Sequence, residues 1–319
     1  MLTVQEIYNL AIKWGIEADP RDKAQIKEEL KKVKTTYQDL KEEEREGFDK
    51  ERITNPYADS RILYGEGKRE VRGILIGVDM EVGEVLVAER LREKGEPIDL
   101  IISHHPEGYA LAGFYEVMHM QADILNKYGV PITVAEDLLS ERIKEVERKV
   151  MPVNHNRAVD IARLFDIPFL CIHTPCDNLV TKFLQTKIDQ AKPATLKDIV
   201  KLLKQIPEYK IAAAVNAGPK ILVGKDSDRA GKVMVEMTGG TEGSKKVMGR
   251  LSQAGIGTIV GMHLGDEIRK EAEKNHIKVI IAGHIASDTL GMNLFLDKLL
   301  KISKIKIIGV SGFRREVRV

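Results

Sequence analysis

Histidine follows an apolar run at three places in the chain, and these places are the parts of the sequence best suited to chemistry. The three stretches read IISHHP at 101–106, FLCIHTPCD at 169–177 and VIIAGHIASD at 279–288. A short apolar run is typical of a buried strand of a parallel sheet. Ligands bind beyond the carboxyl ends of such strands. We therefore expect three histidine-ended strands of one sheet to point at one crevice.

The residues at these strand ends are of the types that bind divalent metals, since neutral imidazole and carboxylate are the usual ligands of zinc, iron, manganese and nickel. His104 and His105 face opposite ways on an extended chain, so either they face two ions or only one of them is a ligand. His284 and Asp288 are four residues apart at a predicted helix start, within reach of a single ion. Asp177 would add a carboxylate. Any one histidine alone would as readily cap a strand.

Two further residues have alternative roles. Asp79 ends the first predicted strand, where it would act as a base or support a metal ligand, or simply cap the helix that follows. His173 would orient Asp177 or a bound substrate, or make a structural hydrogen bond. His263 ends a strand in the second half of the chain and is an outlying candidate.

A glycine-rich turn containing Gly239, Gly240 and Gly243 lies between a predicted strand and a predicted helix. Backbone amides and the helix dipole can hold a phosphate at such a place. The turn does not fit the P-loop pattern, because no lysine directly follows Gly243. It is therefore either a plain turn or an anion site.

Short apolar strands alternate with helix-patterned segments from Val71 onward, which predicts an α/β fold with largely parallel or mixed sheets. Residues 1–58 form a helical extension, with an amphipathic helix at 3–14 and a long charged helix after Asp19. The apolar residues of the charged helix are spaced by fours and threes, which predicts a seam that covers its own domain or contacts another copy. A linker near 191–195 separates a metal-site domain, 59–190 with 278–319, from a second subdomain, 191–277.

The local patterns also predict a continuous helix at 110–128, a strand at 132–134 and a strand at 210–215.

The composition favours an ordinary globular protein. The chain has 319 residues, with 50 basic and 48 acidic side chains and a formal net charge of +2. Because the charges are interspersed, there is no strong nucleic-acid signature. No apolar run approaches the roughly 20 residues of a membrane span. With only two cysteines and no signal-peptide pattern, we expect a cytoplasmic protein.

The residues at the strand ends also resemble those of a known family. The chain is similar to the Nif-three-like proteins, also called dinuclear metal-centre proteins or GTP cyclohydrolase I type 2 homologues, over about residues 60–296. The matching motifs are LIGVD at 75–79, IISHHP at 101–106, HTPCD at 173–177, the glycines at 239–240 and GHIASD at 283–288.

This resemblance implies a Nif-three-like fold of two interlinked α/β subdomains and a pair of divalent ions, Zn, Mn, Fe or Ni. The implied ligands are His104, His105, Asp177, His284 and Asp288. Asp288 stands where the family usually has Glu. The resemblance also implies a homo-oligomer, specifically a toroidal hexamer.

Two metals at such a site would activate a water molecule and stabilise the charge on an attacked phosphoryl group or amidine carbon. This predicts a hydrolase of a nucleotide-like or phosphorylated small molecule. The alternative is a metal-binding chaperone or regulatory scaffold in which no turnover occurs.

Overall fold

The computed structural model describes residues 1–318, which form a five-stranded and a four-stranded sheet joined by two shared helices, besides a small two-stranded sheet near the N-terminus. The strands are β1 Leu2–Thr3, β2 Ser60–Tyr64, β3 Glu70–Val71, β4 Gly73–Gly77, β5 Leu100–Ser103, β6 Phe169–Ile172, β7 Lys220–Val223, β8 Lys232–Glu236, β9 Ile256–Gly261, β10 Lys278–Ile281 and β11 Lys306–Val310. The mixed α/β fold class predicted from the sequence is confirmed.

Three helices form an N-terminal group, and the others lie between the later strands, either singly or in runs of three or four. The helices are α1 Val4–Ala18, α2 Lys23–Asp39, α3 Glu42–Glu46, α4 Val82–Glu93, α5 Gly108–Ala112, α6 Met120–Lys127, α7 Ile132–Val150, α8 Arg157–Leu164, α9 His173–Ala191, α10 Leu196–Leu203, α11 Pro207–Ala214, α12 Val247–Gln253, α13 Asp266–Lys274 and α14 His284–Leu299. Short 3-10 helices occupy Lys50–Ile53 and Phe114–His119. None of the described helices is long and apolar enough to cross a membrane.

The first sheet has five strands in the order β11, β4, β5, β6, β2, and only β2 runs antiparallel to its neighbour. Helices α1, α9 and α14 cover one face, and α4 and α8 cover the other. Because both faces are covered, β4, β5 and β6 are buried along their whole length, as expected for parallel strands. Their parallel direction places their carboxyl ends at one edge.

The second sheet has four strands in the order β7, β10, β9, β8, with β8, β9 and β10 parallel. β10 therefore belongs to this sheet, and the prediction that all three histidine-ended strands share one sheet is wrong. Helices α6 and α7 also pack on the second sheet, beside α12 and α13, although the sequence analysis placed them with the first unit. The chain thus crosses between the two units more often than its local pattern indicates.

Helices α9 and α14 contribute apolar side chains to the cores beneath both sheets. In α9, Cys176 packs in the first core and Leu184 in the second; in α14, Phe295 packs in the first and Leu290 in the second. The two helices approach closely at Gly291, where an added Cβ would lie 2.6 Å from the carbonyl oxygen of Cys176. This crossing point is adjacent to the two acidic residues of the candidate site.

Three local expectations are wrong, and each has a physical reason. The segment 132–134 begins α7 because Pro131 precedes a helical run of buried residues that includes Leu139 and Ile143. The segment 210–215 belongs to α11, which starts with Pro207 in its first turn, a favoured position for proline. The predicted helix at 110–128 is divided at Gly113 into α5, a 3-10 helix and α6.

The N-terminal extension is integrated with the first sheet through α1, which places Ile7 and Trp14 in the core. Helix α2 begins at Lys23 with Asp22 as its cap, whereas Asp19 instead binds the guanidinium of Arg21. Of the apolar seam on α2, only Ile26 is fully buried. The seam therefore covers its own domain at its beginning and leaves its distal part partly open.

Candidate metal centre

The predicted site residues come together at the junction of the two sheets. His104 and His105 directly follow β5, His173 begins α9 after β6, and His284 begins α14 shortly after β10. The backbone turns sharply before α14 because Gly283 has a φ of +114°, a conformation that favours glycine. The carboxyl ends of strands from both sheets therefore face the same space.

One group of candidate ligands consists of His104, Asp177 and Asp288, all buried. The Nε2 atom of His104 lies 3.4 Å from Asp177 Oδ1 and 3.3 Å from Asp288 Oδ1. Within residues 1–318, none of these three atoms has a hydrogen-bond partner. Buried polar atoms without partners are rare and costly in folded proteins. The three atoms are therefore placed to coordinate a cation and not to hydrogen-bond with one another.

The second group consists of His105, His284 and Asp288. Asp288 Oδ2 lies 3.5 Å from His105 Nε2 and 3.4 Å from His284 Nε2. In both groups the ligand atoms lie within 4.8 Å of one another. Asp288 therefore offers one carboxylate oxygen to each of these two groups. His104 and His105 also lie close enough to His173 to form a third group with it.

The spacing within the groups matches metal coordination. A hydrogen bond to oxygen would bring a nitrogen to roughly 2.7–3.2 Å. Two ligands that each lie about 2.0–2.1 Å from a tetrahedral zinc are about 3.4 Å apart. The four separations to Asp288 and Asp177 run from 3.3 to 3.5 Å. The residues present thus fit divalent-metal coordination, with Asp288 common to both groups.

Carboxylates outside the two groups fix the histidine rings. Asp79 Oδ1 accepts from His105 Nδ1 at 2.6 Å, which turns His105 Nε2 toward Asp288. Asp79 does not cap α4, because the cap residue of that helix is Glu81. A carboxylate behind a histidine is the usual arrangement at metal sites, where it sets the tautomer and the ring orientation.

His173 is held in the same way by Asp59, a buried residue just before β2. Asp59 Oδ2 accepts from His173 Nδ1 at 2.8 Å and from the Thr174 hydroxyl at 2.7 Å. His173 Nε2 lies 3.7 Å from Asp177 Oδ2, so the ring flanks the first group. Asp59 was not predictable from the sequence, because it follows no apolar run and stands between Ala58 and Ser60.

Charge coupling within the centre shifts several pKa values. Burial alone would lower the pKa of His104, but Asp288 and Asp177 outweigh it and raise the pKa well above its ordinary value. Burial also lowers the pKa of His105, but the carboxylates of Asp288 and Asp79 outweigh it and raise the pKa to about 9. Burial lowers the pKa of His284. In the metal-free centre, His104 and His105 therefore carry protons on the ring nitrogens that would bind cations.

A cleft of about 1020 Å³, its open mouth included, leads away from His173, Asp177 and His284. Its middle is formed by the glycine-rich turn, whose carbonyls at Gly239 and Thr241 accept from Gln121 at 2.6 and 2.7 Å. Helix α12 begins only at Val247, after the turn. The anion-binding role of Gly239, Gly240 and Gly243 stays a prediction.

His263, the outlying candidate, lies in the same cleft. Its Nδ1 is 2.7 Å from Glu242 Oε1, and its ring centroid is 4.8 Å from that of His284. His263 is outside the two groups that surround Asp288. The structure therefore brings seven predicted residues together at the centre and places the outlying candidate His263 beside it. It adds Asp59 and Glu242, which the sequence did not indicate.

Comparison with known proteins agrees with this fold. No family model and no curated protein matches the chain. Among solved structures, a NIF3 superfamily protein from Sphaerobacter thermophilus is similar with a TM-score of 0.70 and 26% identity, over 80% of this chain and 92% of that one.

Two other solved structures are similar at lower scores. Reduced HcgD from Methanocaldococcus jannaschii has a TM-score of 0.48 and 15% identity, over 79% of this chain and 89% of that one. A Bacillus cereus protein related to NIF3 has a TM-score of 0.42 and 12% identity, over 82% and 93%. The Nif-three-like resemblance first noted in the strand-end motifs is confirmed by this similarity to the NIF3 superfamily protein from Sphaerobacter thermophilus.

Proposed function

We propose that this protein is a dinuclear metal-dependent hydrolase of a nucleotide-like or phosphorylated small molecule. The observation that supports it most strongly is the pair of ligand groups that share Asp288, with separations that match metal coordination. His104, Asp177 and Asp288 would hold one ion, and His105, His284 and Asp288 the other.

Open access to the centre favours catalysis over storage. The side chain of His284 is 40% exposed and that of His105 is 28% exposed, and the cleft leads directly to His284. Each group offers three protein ligands, which leaves room for water or a reactant, as in catalytic rather than structural sites.

Two divalent ions at this place would supply Lewis acidity and lower the pKa of water toward neutrality. The protein's own residues would do the positioning. Asp79 holds His105 and Asp59 holds His173, so both rings keep a fixed orientation. Asp288 keeps a fixed place because it lies at the start of α14, braced against α9 at Gly291.

The experiment is a turnover screen of the protein stripped of metal and reloaded with Zn, Mn, Fe or Ni. Nucleotides and phosphoesters are the substrates, and released phosphate, nucleoside or base-derived product is measured. Asp288→Asn is the matched variant, since it keeps the shape and removes the charge shared by both groups. We expect metal-dependent turnover in the wild type and loss of at least about 100-fold in the variant.

The competing function is a metal-binding chaperone or scaffold. It is favoured if the wild type binds about two ions per chain and turns over none of the substrates with any of the metals. In that case the proposed hydrolase is wrong while the metal centre stands.

A further inference from the structure

The carboxyl edge of the second sheet carries polar groups that the metal centre does not use. β8 ends at Glu236, β9 leads to His263, and β10 leads to His284. These strands are parallel neighbours, so the three side chains lie along one edge, where ligands bind in parallel α/β sheets. Of the three, only His284 belongs to the metal groups.

Glu236 is a carboxylate on the cleft wall with no partner. Within residues 1–318 its oxygens make no hydrogen bond or ion pair, while its side chain lines the cleft beside Glu242. Burial raises the pKa of Glu236 to about 7, and Glu242 contributes to the rise. This half-buried carboxylate has no donor within the described residues, so a ligand with N–H groups that entered the cleft would satisfy it.

His263 and Glu242 form a fixed pair opposite this carboxylate. Glu242 accepts from His263 Nδ1, and the backbone carbonyl of Glu242 accepts from Arg142 Nε at 3.1 Å. Both contacts fix Glu242 in place, and the other ring nitrogen of His263, Nε2, is available to a ligand. Two carboxylates at this place would repel a phosphate, so the anionic part of a substrate belongs at the metal centre instead.

The cleft beyond these groups has apolar walls. Tyr128, Met237, Met262 and Leu264 are among the residues that line it. Such walls suit a flat ring that offers polar edges at only a few points. A ligand that suits this cleft has an anionic group at the metal centre and a flat, largely apolar ring with a few N–H groups in the cleft.

We infer that Glu236, with the His263–Glu242 pair, recognises the N–H edge of a planar nitrogen heterocycle whose reacting group lies at the metal centre. Glu236 is then a specificity-determining residue, because its two oxygens accept from adjacent N–H donors. This inference rests on the proposed function for the identity of the site, but it concerns binding and does not require turnover.

The test is equilibrium binding to the zinc-loaded protein, measured by calorimetry with guanosine and inosine 5′-monophosphates. The two probes differ by one exocyclic amino group, so their affinity ratio reports on an N–H acceptor and not on the metal centre or the phosphate. We expect the wild type to prefer the guanosine compound by about tenfold, the effect of one hydrogen bond to a charged acceptor.

Glu236→Gln replaces two charged acceptor oxygens by one neutral acceptor and one donor, so it should lower the affinity ratio severalfold, and the isosteric change leaves the fold intact. Glu43→Gln, an exposed change on α3, should leave the ratio at its wild-type value. The inference is overturned if the wild type binds neither probe, binds both equally, or keeps its preference in Glu236→Gln. Binding with the expected ratio but without hydrolysis would overturn the proposed function and leave this inference standing.

Discussion

At the scale of single residues, Asp288 is the side chain that both Asp288-containing ligand groups have in common. The resemblance predicts Glu at this position, and Asp is one methylene shorter. Its oxygens nevertheless lie 3.3 Å from His104 Nε2 and 3.4 Å from His284 Nε2. The shorter carboxylate reaches both groups because α14 starts close to the strand ends that carry the histidines.

Individual site residues were predictable where local sequence carried a signal. His104 and His284 follow apolar runs, which predicts that they lie at strand ends, and imidazole is a common metal ligand. Both facts identified them as candidates. Asp59 follows no apolar run, and Glu236 follows one at 233–235 but is not a histidine. Their roles depend on tertiary neighbours, His173 for the first and the cleft wall for the second, and no periodicity encodes those contacts.

Asp79→Asn should weaken metal binding by about 10- to 100-fold, because His105 loses the carboxylate that fixes its ring and tautomer. Metal affinity measured by competition with a chelator checks this. Asp137→Asn, an exposed change on α7, is the control and should have no effect. Equal affinities for the two variants would show that Asp79 has no part in the centre.

The stability of the metal-free protein should fall as pH rises from about 6.5 to 9. His104 and His105 have folded pKa values above the unfolded value of about 6.5, about 9 for His105. The stability they contribute is complete below pH 6.5 and is lost as pH rises through the folded values. Asp79 and Asp288 have lowered pKa values, so their contribution is constant in this window.

Thermal unfolding with a chelator present measures this directly. With metal bound, the trend should reverse, because cations bind deprotonated imidazole and bind more tightly as pH rises. A metal-free melting temperature that is flat or rising over the window would contradict the pKa shifts.

At the scale of elements, the shared helices α9 and α14 explain how two sheets build one centre. Sequence pattern identified most strands and helices of the α/β region, because hydrophobic period and capping residues are local signals. It assigned β10 to the wrong sheet, since strand pairing depends on contacts distant in sequence. The convergence of the histidines was nevertheless predicted, because every parallel strand presents its carboxyl end to a crevice.

Gly283→Ala should displace the start of α14 and lower metal content. An added Cβ would lie 2.5 Å from the carbonyl oxygen of Ala217, and the φ of +114° is strained for alanine. We expect a loss of about 1–3 kcal/mol in the free energy of unfolding. Denaturant unfolding and metal analysis check the two effects.

Gly83→Ala is the matched control for this change. Gly83 lies in α4 with no atom near an added Cβ, so alanine there should be neutral or slightly stabilising. If the two variants behaved alike, the turn at Gly283 would not position His284 and Asp288.

At the scale of the whole molecule, the helical extension is the part whose role stays a prediction. Leu30, Val33 and Tyr37 on α2 are only partly buried, although they share a seam with the buried Ile26. Leaving these apolar side chains partly exposed favours the oligomer contact over simple coverage. We propose that this distal seam packs against another copy in a homo-oligomer.

The double variant Leu30→Glu with Val33→Glu should reduce the oligomer to smaller species, because four like charges would face one another across each contact between two copies. Light scattering measures the mass, and metal analysis should be unchanged, since α2 lies outside the centre. A wild type that is monomeric, or an assembly that survives the change, would contradict this proposal.

The central claim is that two ions share Asp288, and anomalous diffraction from crystals of the metal-loaded protein tests it most directly. Data collected on both sides of the absorption edge of the loaded metal locate each ion. We predict two anomalous peaks per chain, one among His104, Asp177 and Asp288 and one among His105, His284 and Asp288. No peak at Asp288, or a single peak in only one of the groups at saturating metal, would contradict the account.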